Sequence, residues 1–304
     1  MVKLKFYPEG ANNALIADFK GFADVKAAID SGAIFEGKVM LCDREHNLHV
    51  DLGFTEGVIP RAEGAVGIIE GTVRDIALIS KVGKRVCFRV VGYQKDDSGK
   101  KVVVLSRRMA QLQCEKEYID NLSCGEIIDA RVTRLEGFGA FIDIGCGINS
   151  LIPIDMLSVS RISHPRERLH DGEMIKCALK SRDDGKLTFT LKELLGTWEE
   201  NAANFFVGET VVGTVRSVES YGIFVELTPN LAGLAELGMP LSAGQRVSVF
   251  IKSIIPEKMK IKLVVVDACP AQADSALKYA VSSGIIKHWR YSPKDADRVV
   301  ETIF

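Results

Sequence analysis

The chain has 304 residues, of which 47% are hydrophobic and 26% are charged, enough for about two to four small domains with cores of their own. With 39 basic and 40 acidic residues its formal net charge is −1, so a nucleic-acid partner would need a local basic patch. The seven cysteines lack CxxC spacing, the first residues lack a signal-peptide core, and no apolar run reaches the ~18 residues of a membrane span, which together predict a cytoplasmic protein with free thiols.

The N-terminal segment, 1–32, contains GFADVKAAIDSG, which predicts a short helix that ends at a glycine. The next segment, 33–108, begins with FEGKVMLCDREHNLHVDLGFTEGVIP, whose alternating apolar residues indicate strands. A two-strand hairpin is predicted around DDSG, 96–99. Leu48 is expected at the position that aromatic residues occupy in the later segments. A helical linker is predicted over 109–122.

Two later segments are copies of one module. Residues 125–154, GEIIDARVTRLEGFGAFIDIGCGINSLIPI, align without a gap with 208–237, GETVVGTVRSVESYGIFVELTPNLAGLAEL. Each copy continues into two strands joined by a polar turn, which is DDGK in the first copy. About five short strands in each copy predict small closed barrels over 123–195 and 208–267, joined by a helical linker over 196–207.

The last segment, 268–304, is predicted to be helical. Ser292 is a suitable N-cap and Pro293 suits a first helical position, and ADSALKYAVSSG predicts another helix before them. An aromatic and basic cluster surrounds Trp289. It could contact RNA, but packing against a neighbouring barrel is the commoner fate of such a tryptophan and is the expectation here.

Each copy of the module carries two aromatic residues around a glycine: Phe138 and Phe141 in the first, Tyr221 and Phe224 in the second. Residues three apart on a regular strand point to opposite faces, and a bulge at the glycine would return both rings to one face. Core packing is the ordinary role of a lone strand aromatic. Alternate isoleucines and valines already supply a core, however, and the pattern recurs in register, so we predict exposed platforms that stack bases.

This pattern resembles the S1 RNA-binding domain, a five-stranded oligonucleotide-binding barrel named after a ribosomal protein of the bacterial small subunit. The segment 123–195 is a strong match, 208–267 is nearly as good, and 33–108 is similar in its GxV, EGVIP and VVLSRR elements. The order of the copies is similar to that in the bacterial ribosomal protein S1 family. The resemblance implies a mainly β fold of three tandem S1-like OB-fold barrels joined by short helices, with helical N- and C-terminal segments.

In that family two aromatics stack bases, and polar and basic residues around the last hairpin hold phosphates. A loop rich in arginine, RISHPRER, is also predicted to contact phosphates, although a solvated charged loop is the ordinary reading of such a run. The sequence departs from the family pattern at Pro153 and Glu236, where a histidine is usual. The candidate RNA-binding residues are Phe138, Phe141, Arg161, His164, Arg166, Arg168, Arg182, Lys186, Tyr221, Phe224 and Lys260.

No chemistry-bearing motif is found in the sequence. The five histidines have no metal-ligand spacing, and there is no Walker-type loop, GxSxG or HExxH. We therefore expect no catalytic residue, metal, cofactor, small-molecule substrate or membrane partner. The expected partners are single-stranded RNA, most simply mRNA, and the small ribosomal subunit.

Three other functions fit the same residues. The chain could be an RNA-binding regulator that never joins the ribosome. It could be a protein–protein adaptor whose barrels have lost RNA binding, which the near-neutral charge and Glu236 favour. It could also be an accessory module of a nuclease complex, which would need a catalytic partner.

Overall fold

The computed structural model describes residues 5–11, 15–95, 99, 101–183, 185–270 and 277–304. The chain divides into two compact units. The first unit consists of Met1–Leu122, Asp129–Arg131 and Asp143–Asn149, and the second of the remaining residues to Phe304. In the described part of the chain, no helix is both long and apolar enough to cross a membrane.

The first unit contains a helix followed by a five-stranded barrel. In the barrel the strands follow the order β2-β3-β4-β6-β5, and β5 pairs back with β2 to close it, while the short β1 runs parallel to β2 outside the ring. Helix α1 ends at Gly32, whose left-handed φ of 61° suits glycine. The predicted turn at 96–98 lies outside the described residues. The elements are β1 Leu15–Ile16, α1 Phe22–Ser31, β2 Ile34–Cys42, β3 Leu48–Asp51, β4 Glu56–Ile59, α2 Ile76–Ile79, β5 Arg85–Lys95, β6 Lys101–Ser106 and α3 Arg107–Glu117.

A buried ion pair ties the N-terminal segment into this unit. Ser106 caps α3 by accepting a hydrogen bond from the Met109 N–H at 2.9 Å. The next residue, Arg107, is buried and donates to Glu9 at 2.6 Å, while Lys81 contacts the other carboxylate oxygen at 2.7 Å. Burial would raise the pKa of Glu9, but Arg107 and Lys81 together lower it to about 2. Ser106 and Arg107, in the SRR element at the end of this module, therefore have a structural role.

The second barrel closes through the strand order β10-β11-β9-β8-β7. Strands β10 and β11 form the antiparallel hairpin that the sequence predicts, with Asp183 opposite Lys186. Strand β11 also runs parallel to β9, with Thr188 opposite Leu151. The strands are β7 Ile127–Glu136, β8 Gly139–Asp143, β9 Asn149–Pro153, β10 Met174–Asp183 and β11 Lys186–Thr190.

The third barrel repeats this topology, in the order β12-β13-β14-β16-β15. Its strands follow the alternation of the sequence: in RVSVFI the residues Val247, Val249 and Ile251 are buried, and those between them face outward. The prediction of three five-stranded barrels is confirmed. The elements are α4 Trp198–Ala202, β12 Thr210–Glu219, β13 Gly222–Thr228, β14 Leu231–Ala235, β15 Arg246–Ile255 and β16 Lys260–Ala268.

The helical prediction for the C-terminal segment is wrong over its described residues, 268–270 and 277–304, which contain no helix. Strands β17 His288–Arg290 and β18 Glu301–Ile303 form an antiparallel hairpin instead. The first predicted helix, ADSALKYAVSSG, begins outside the described residues. Trp289 and Tyr291 are each 7% exposed and belong to the core of the third barrel. The expected packing of Trp289 is thus found, and its two-residue spacing from Tyr291 suits a strand, which overrides the local Ser-Pro signal.

Short 3-10 helices complete the chain at Arg61–Glu63, Ile119–Asn121, Ile154–Met156, Pro165–Glu167, Lys192–Leu195 and Pro256–Lys258.

Candidate nucleic-acid interface

The aromatic pair of the second barrel lies on its outer surface. Phe138 occupies the two-residue turn between β7 and β8, and 57% of its surface is exposed. Phe141, on β8, is half-buried. The two rings meet edge to face, with centroids 5.8 Å apart and planes at 89°. The exposed ring of Phe138 offers a face on which a base can stack.

The third barrel carries the same arrangement. Tyr221 lies in the turn between β12 and β13 and is 67% exposed, while Phe224 on β13 is half-buried. Their ring centroids are 6.2 Å apart with planes again at 89°. The sequence repeat is therefore also a repeat of side-chain geometry.

The expected bulge at the glycine is not what brings the rings together. In the third barrel the pairing runs unbroken through Gly222, which lies opposite Glu219, and the irregularity falls earlier, between Val215 and Ser217. Tyr221 reaches the outer face because it sits in the turn rather than in the strand. The glycine allows a close approach instead, since a Cβ at Gly222 would lie 2.8 Å from the Ala235 carbonyl oxygen.

Gly139 is in the same situation, because an added Cβ would overlap the carbonyl oxygen of Ile152. We expect Gly139→Ala to lower the free energy of unfolding by about 1–3 kcal/mol, because backbone on both sides must shift. Gly137→Ala, in the adjoining turn, is the matched control, since a Cβ there meets nothing within 4 Å. Urea unfolding of both variants measures the difference. Equal effects would show that crowding by Ile152 does not select the glycine.

Two lysines lie beside the aromatic pair of the third barrel. Phe224 is directly opposite Leu234 on β14, and Leu234 is opposite Lys262 on β16. Lys260 lies two residues earlier and is also exposed, whereas Ile261 between them is buried. The two lysines therefore share the outer side of β16. Sequence reasoning found Lys260 and missed Lys262, although the alternation in KIKL indicates both.

The second barrel places its cations at the end of the last hairpin. Lys186 is the first residue of β11 and is exposed, and Arg182 is exposed on β10 opposite Leu187. At the position that corresponds to Lys262, the second barrel has Thr188, opposite Leu151. The second barrel therefore has fewer exposed cations along β11 than the third barrel has along β16, and its cations lie near the turn between β10 and β11.

The first barrel has a histidine where the others have the strand aromatic. The expectation for Leu48 is wrong, because that side chain is fully buried. His49 lies opposite Val58, and Val58 lies opposite Val104, in the register that joins Phe224, Leu234 and Lys262 in the third barrel.

Both ring nitrogens of His49 are paired. Nδ1 contacts the Glu56 carboxylate and Nε2 lies 3.2 Å from Asp43. Burial alone would lower the pKa of His49, but hydrogen bonds with Asp43 and Glu56 raise it above its usual value. A histidine paired with two carboxylates is a poor surface for an anionic polymer.

One predicted phosphate contact, Arg168, is buried and serves a different purpose. Its guanidinium pairs with Glu226 of the third barrel and donates to Ser158 Oγ at 3.1 Å. Glu226 also accepts two hydrogen bonds from Arg216, at 2.8 and 2.9 Å, and Arg216 contacts Glu167. Burial lowers the pKa of Arg168, and Glu226 opposes that effect. Because Arg168 is enclosed in this network, we exclude it from the RNA-contact set.

The other predicted phosphate contacts of this loop remain at the surface. Arg161 and Arg166 are exposed and His164 is half-buried. All three line a cleft of about 1000 Å³ that is also lined by Tyr221 and Phe224 of the third barrel. The structure thus brings these loop residues to the aromatic pair of the third barrel. Glu236 is exposed two residues after Leu234, just beyond β14, and pairs with Lys252 at 3.1 Å.

Comparisons with known proteins agree with this architecture. Residues 122–186 match the family described as S1 RNA binding domain. The "Small ribosomal subunit protein bS1 homolog" of Bacillus subtilis (strain 168) is 29% identical over 271 residues, which cover 83% of this chain and 68% of that protein. The "Small ribosomal subunit protein bS1" of Staphylococcus epidermidis is 28% identical over 270 residues, 83% of this chain and 66% of its own length. The chain thus spans about two thirds of the length of these relatives.

Among solved structures, a multidomain protein with nucleic acid binding domains from Streptococcus pneumoniae is 13% identical and covers 80% of this chain and 76% of its own. Its TM-score of 0.26 is too low to support a statement about function or domain arrangement.

Proposed function

We propose that the chain belongs to the bacterial ribosomal protein S1 family, and that it holds single-stranded RNA on the aromatic faces of its second and third barrels. The observation that carries the proposal is the repeated geometry of the two ring pairs, each with one largely exposed ring beside a half-buried one. Stacking on such rings tolerates any base, so we expect weak sequence preference.

Phosphate contacts are proposed for exposed cations of the same two barrels. In the second barrel these are Arg182 and Lys186, and in the third Lys260 and Lys262. Each contact releases counterions from the RNA, which makes the affinity depend on salt despite the neutral overall charge. We assign these roles to the segments 123–195 and 208–267.

We further propose that the chain acts in translation in the cytoplasm, bringing mRNA to the small ribosomal subunit. This step rests on the names of the relatives, which are small-subunit ribosomal proteins. The segments 1–32 and 33–108 are the proposed ribosome contacts, because the first barrel has paired His49 in place of an exposed ring. We also propose that the chain binds RNA without catalysing a reaction.

Fluorescence anisotropy with labelled single-stranded RNA of mixed sequence, over a salt series, tests RNA binding. We expect the logarithm of the association constant to fall linearly with the logarithm of salt, by about 0.7 for each phosphate contacted. Absence of binding at low salt would overturn the RNA proposal and favour the protein-adaptor function. Co-sedimentation with 30S subunits separately tests the ribosomal role, since RNA binding without co-sedimentation would favour a non-ribosomal regulator.

A further inference from the structure

The loop 158–168 of the second barrel is fixed against the third barrel. The Ser160 N–H donates to the Pro229 carbonyl at 3.1 Å, and the Val159 N–H donates to Asn230 Oδ1 at 3.0 Å. Asn230 is fully buried, and its amide nitrogen donates to the carbonyls of Lys192 and Gly196 at 2.8 and 2.9 Å. With the ion network around Glu226 on the other side, the loop is held at both ends.

This attachment creates the cleft of about 1000 Å³ described above. One wall consists of loop residues, among them Arg161, His164 and Arg166. The third barrel contributes the rings of Tyr221 and Phe224 to the same cleft. The Arg216–Glu167 pair lines the cleft as well, and its opposite charges offset each other. One cleft is thus lined both by arginines of the loop and by the aromatic rings of the third barrel.

The polar groups of the loop wall suit phosphate. His164 Nδ1 accepts a hydrogen bond from the Arg166 N–H at 3.1 Å, which leaves Nε2 as the protonated nitrogen of a neutral ring. Within the described residues, the guanidinium groups of Arg161 and Arg166 have no ion pair. Glu219 also lines the cleft. Apart from the Arg216–Glu167 pair, the charged lining residues are therefore two arginines and one glutamate, which leaves an excess of positive charge. A nucleotide, in which a sugar joins an anionic phosphate to an aromatic base, matches both kinds of lining residue.

We propose that this cleft is a composite RNA site, in which the loop of the second barrel holds the phosphates of nucleotides whose bases stack on Tyr221 and Phe224 of the third. The inference rests on the proposed RNA binding and goes beyond it, because it assigns the phosphate contacts of this loop to the RNA site of the third barrel instead of the second. One strand of RNA then touches residues of both barrels within a single cleft, and the third barrel alone is an incomplete site.

The test uses the full chain and two backgrounds, each with one aromatic pair removed. In Phe138→Ala/Phe141→Ala only the platform of the third barrel remains, and in Tyr221→Ala/Phe224→Ala only that of the second. Arg161→Ala/Arg166→Ala is introduced into both, and binding to a short single-stranded RNA is measured over a salt series. In the first background we expect about tenfold weaker binding and a salt slope smaller by about 1.4, because two phosphate contacts are lost. In the second background we expect a change of less than about twofold.

The opposite pattern would show that the loop serves the second barrel, and equal losses would show only a general effect of charge; either result overturns the composite site. Arg74→Ala/Arg85→Ala is the control of matched charge, since both arginines are exposed on the first barrel. Failure of the wild-type chain to bind RNA would instead overturn the proposed function itself. Thermal unfolding checks that the loop variants are folded, which we expect because the loop is held by Arg168 and Glu167 rather than by the substituted side chains.

Discussion

Replacing Phe138 and Phe141 together by alanine is expected to weaken the binding of single-stranded RNA by about 5- to 150-fold. The lower value corresponds to one lost stacking contact of ~1 kcal/mol and the upper to ~3 kcal/mol. Phe138 is 57% exposed, so its loss removes binding surface and little core. Tyr221→Ala/Phe224→Ala should cause a loss in the same range, and the four substitutions together should leave only the salt-sensitive phosphate contacts.

Phe206→Ala is the matched control for these variants. Phe206 is 64% exposed, as Phe138 and Tyr221 are, but it lies in the linker before β12 and has no aromatic partner among the described ring pairs. We expect its RNA affinity to equal that of the wild type in fluorescence anisotropy. If Phe206→Ala weakened binding as much as the platform variants, general surface hydrophobicity rather than stacking would be the cause.

Glu226→Ala is expected to lower the free energy of unfolding by about 3–5 kcal/mol, because it leaves two buried guanidinium groups without their shared carboxylate. The side chains of Arg168, Arg216 and Glu226 are 3%, 12% and 8% exposed, so water cannot easily replace the lost partner. Urea unfolding followed by circular dichroism measures the effect. The loop 158–168 should also become more accessible to protease, since one of its two attachments is lost.

Glu236→Ala provides the contrast. Glu236 belongs to the same barrel and also pairs with a cation, Lys252, but the two side chains are 74% and 56% exposed. Exposed pairs contribute little, so we expect a change within about 0.5 kcal/mol. A comparable loss in both variants would mean that burial of the network around Glu226 adds nothing to its effect.

The barrels could be predicted from the sequence because their signals are local and repeated. Alternation marks each strand, and the gap-free repeat fixes equivalent positions such as Phe141 and Phe224. The same alternation places Lys260 and Lys262 on one side of β16. The exposure of Phe138 and Tyr221 could be predicted because other apolar residues already supply the core. Their position in the turn, which is the structural reason for that exposure, could not.

The remaining features depend on contacts between distant parts of the chain. In the sequence, nothing distinguishes Arg168 from the other arginines of its charged loop. Its burial depends on Glu226, which lies 58 residues later in the chain. Leu48 is buried and His49 takes the outward position because the register of β3 differs by one residue from the one that the sequence repeat suggests, and such a shift reverses which side chain is buried. Ser292 and Pro293 carry a helix signal that the pairing of β17 with β18 outweighs.

The place of Trp289 and Tyr291 in the core of the third barrel sets an order of events during synthesis. Strand β16 ends at Ala268, so 23 further residues must be added before Tyr291 exists and its hydroxyl can donate to the Asn230 carbonyl at 2.6 Å. At about 5–20 residues per second, that interval is roughly 1–5 s. During this interval the third barrel has all five strands but lacks the two aromatic side chains that complete its core. In the first barrel, by contrast, every core residue precedes the end of the last strand, β6. A nascent chain paused in this interval would expose apolar surface that chaperones recognise.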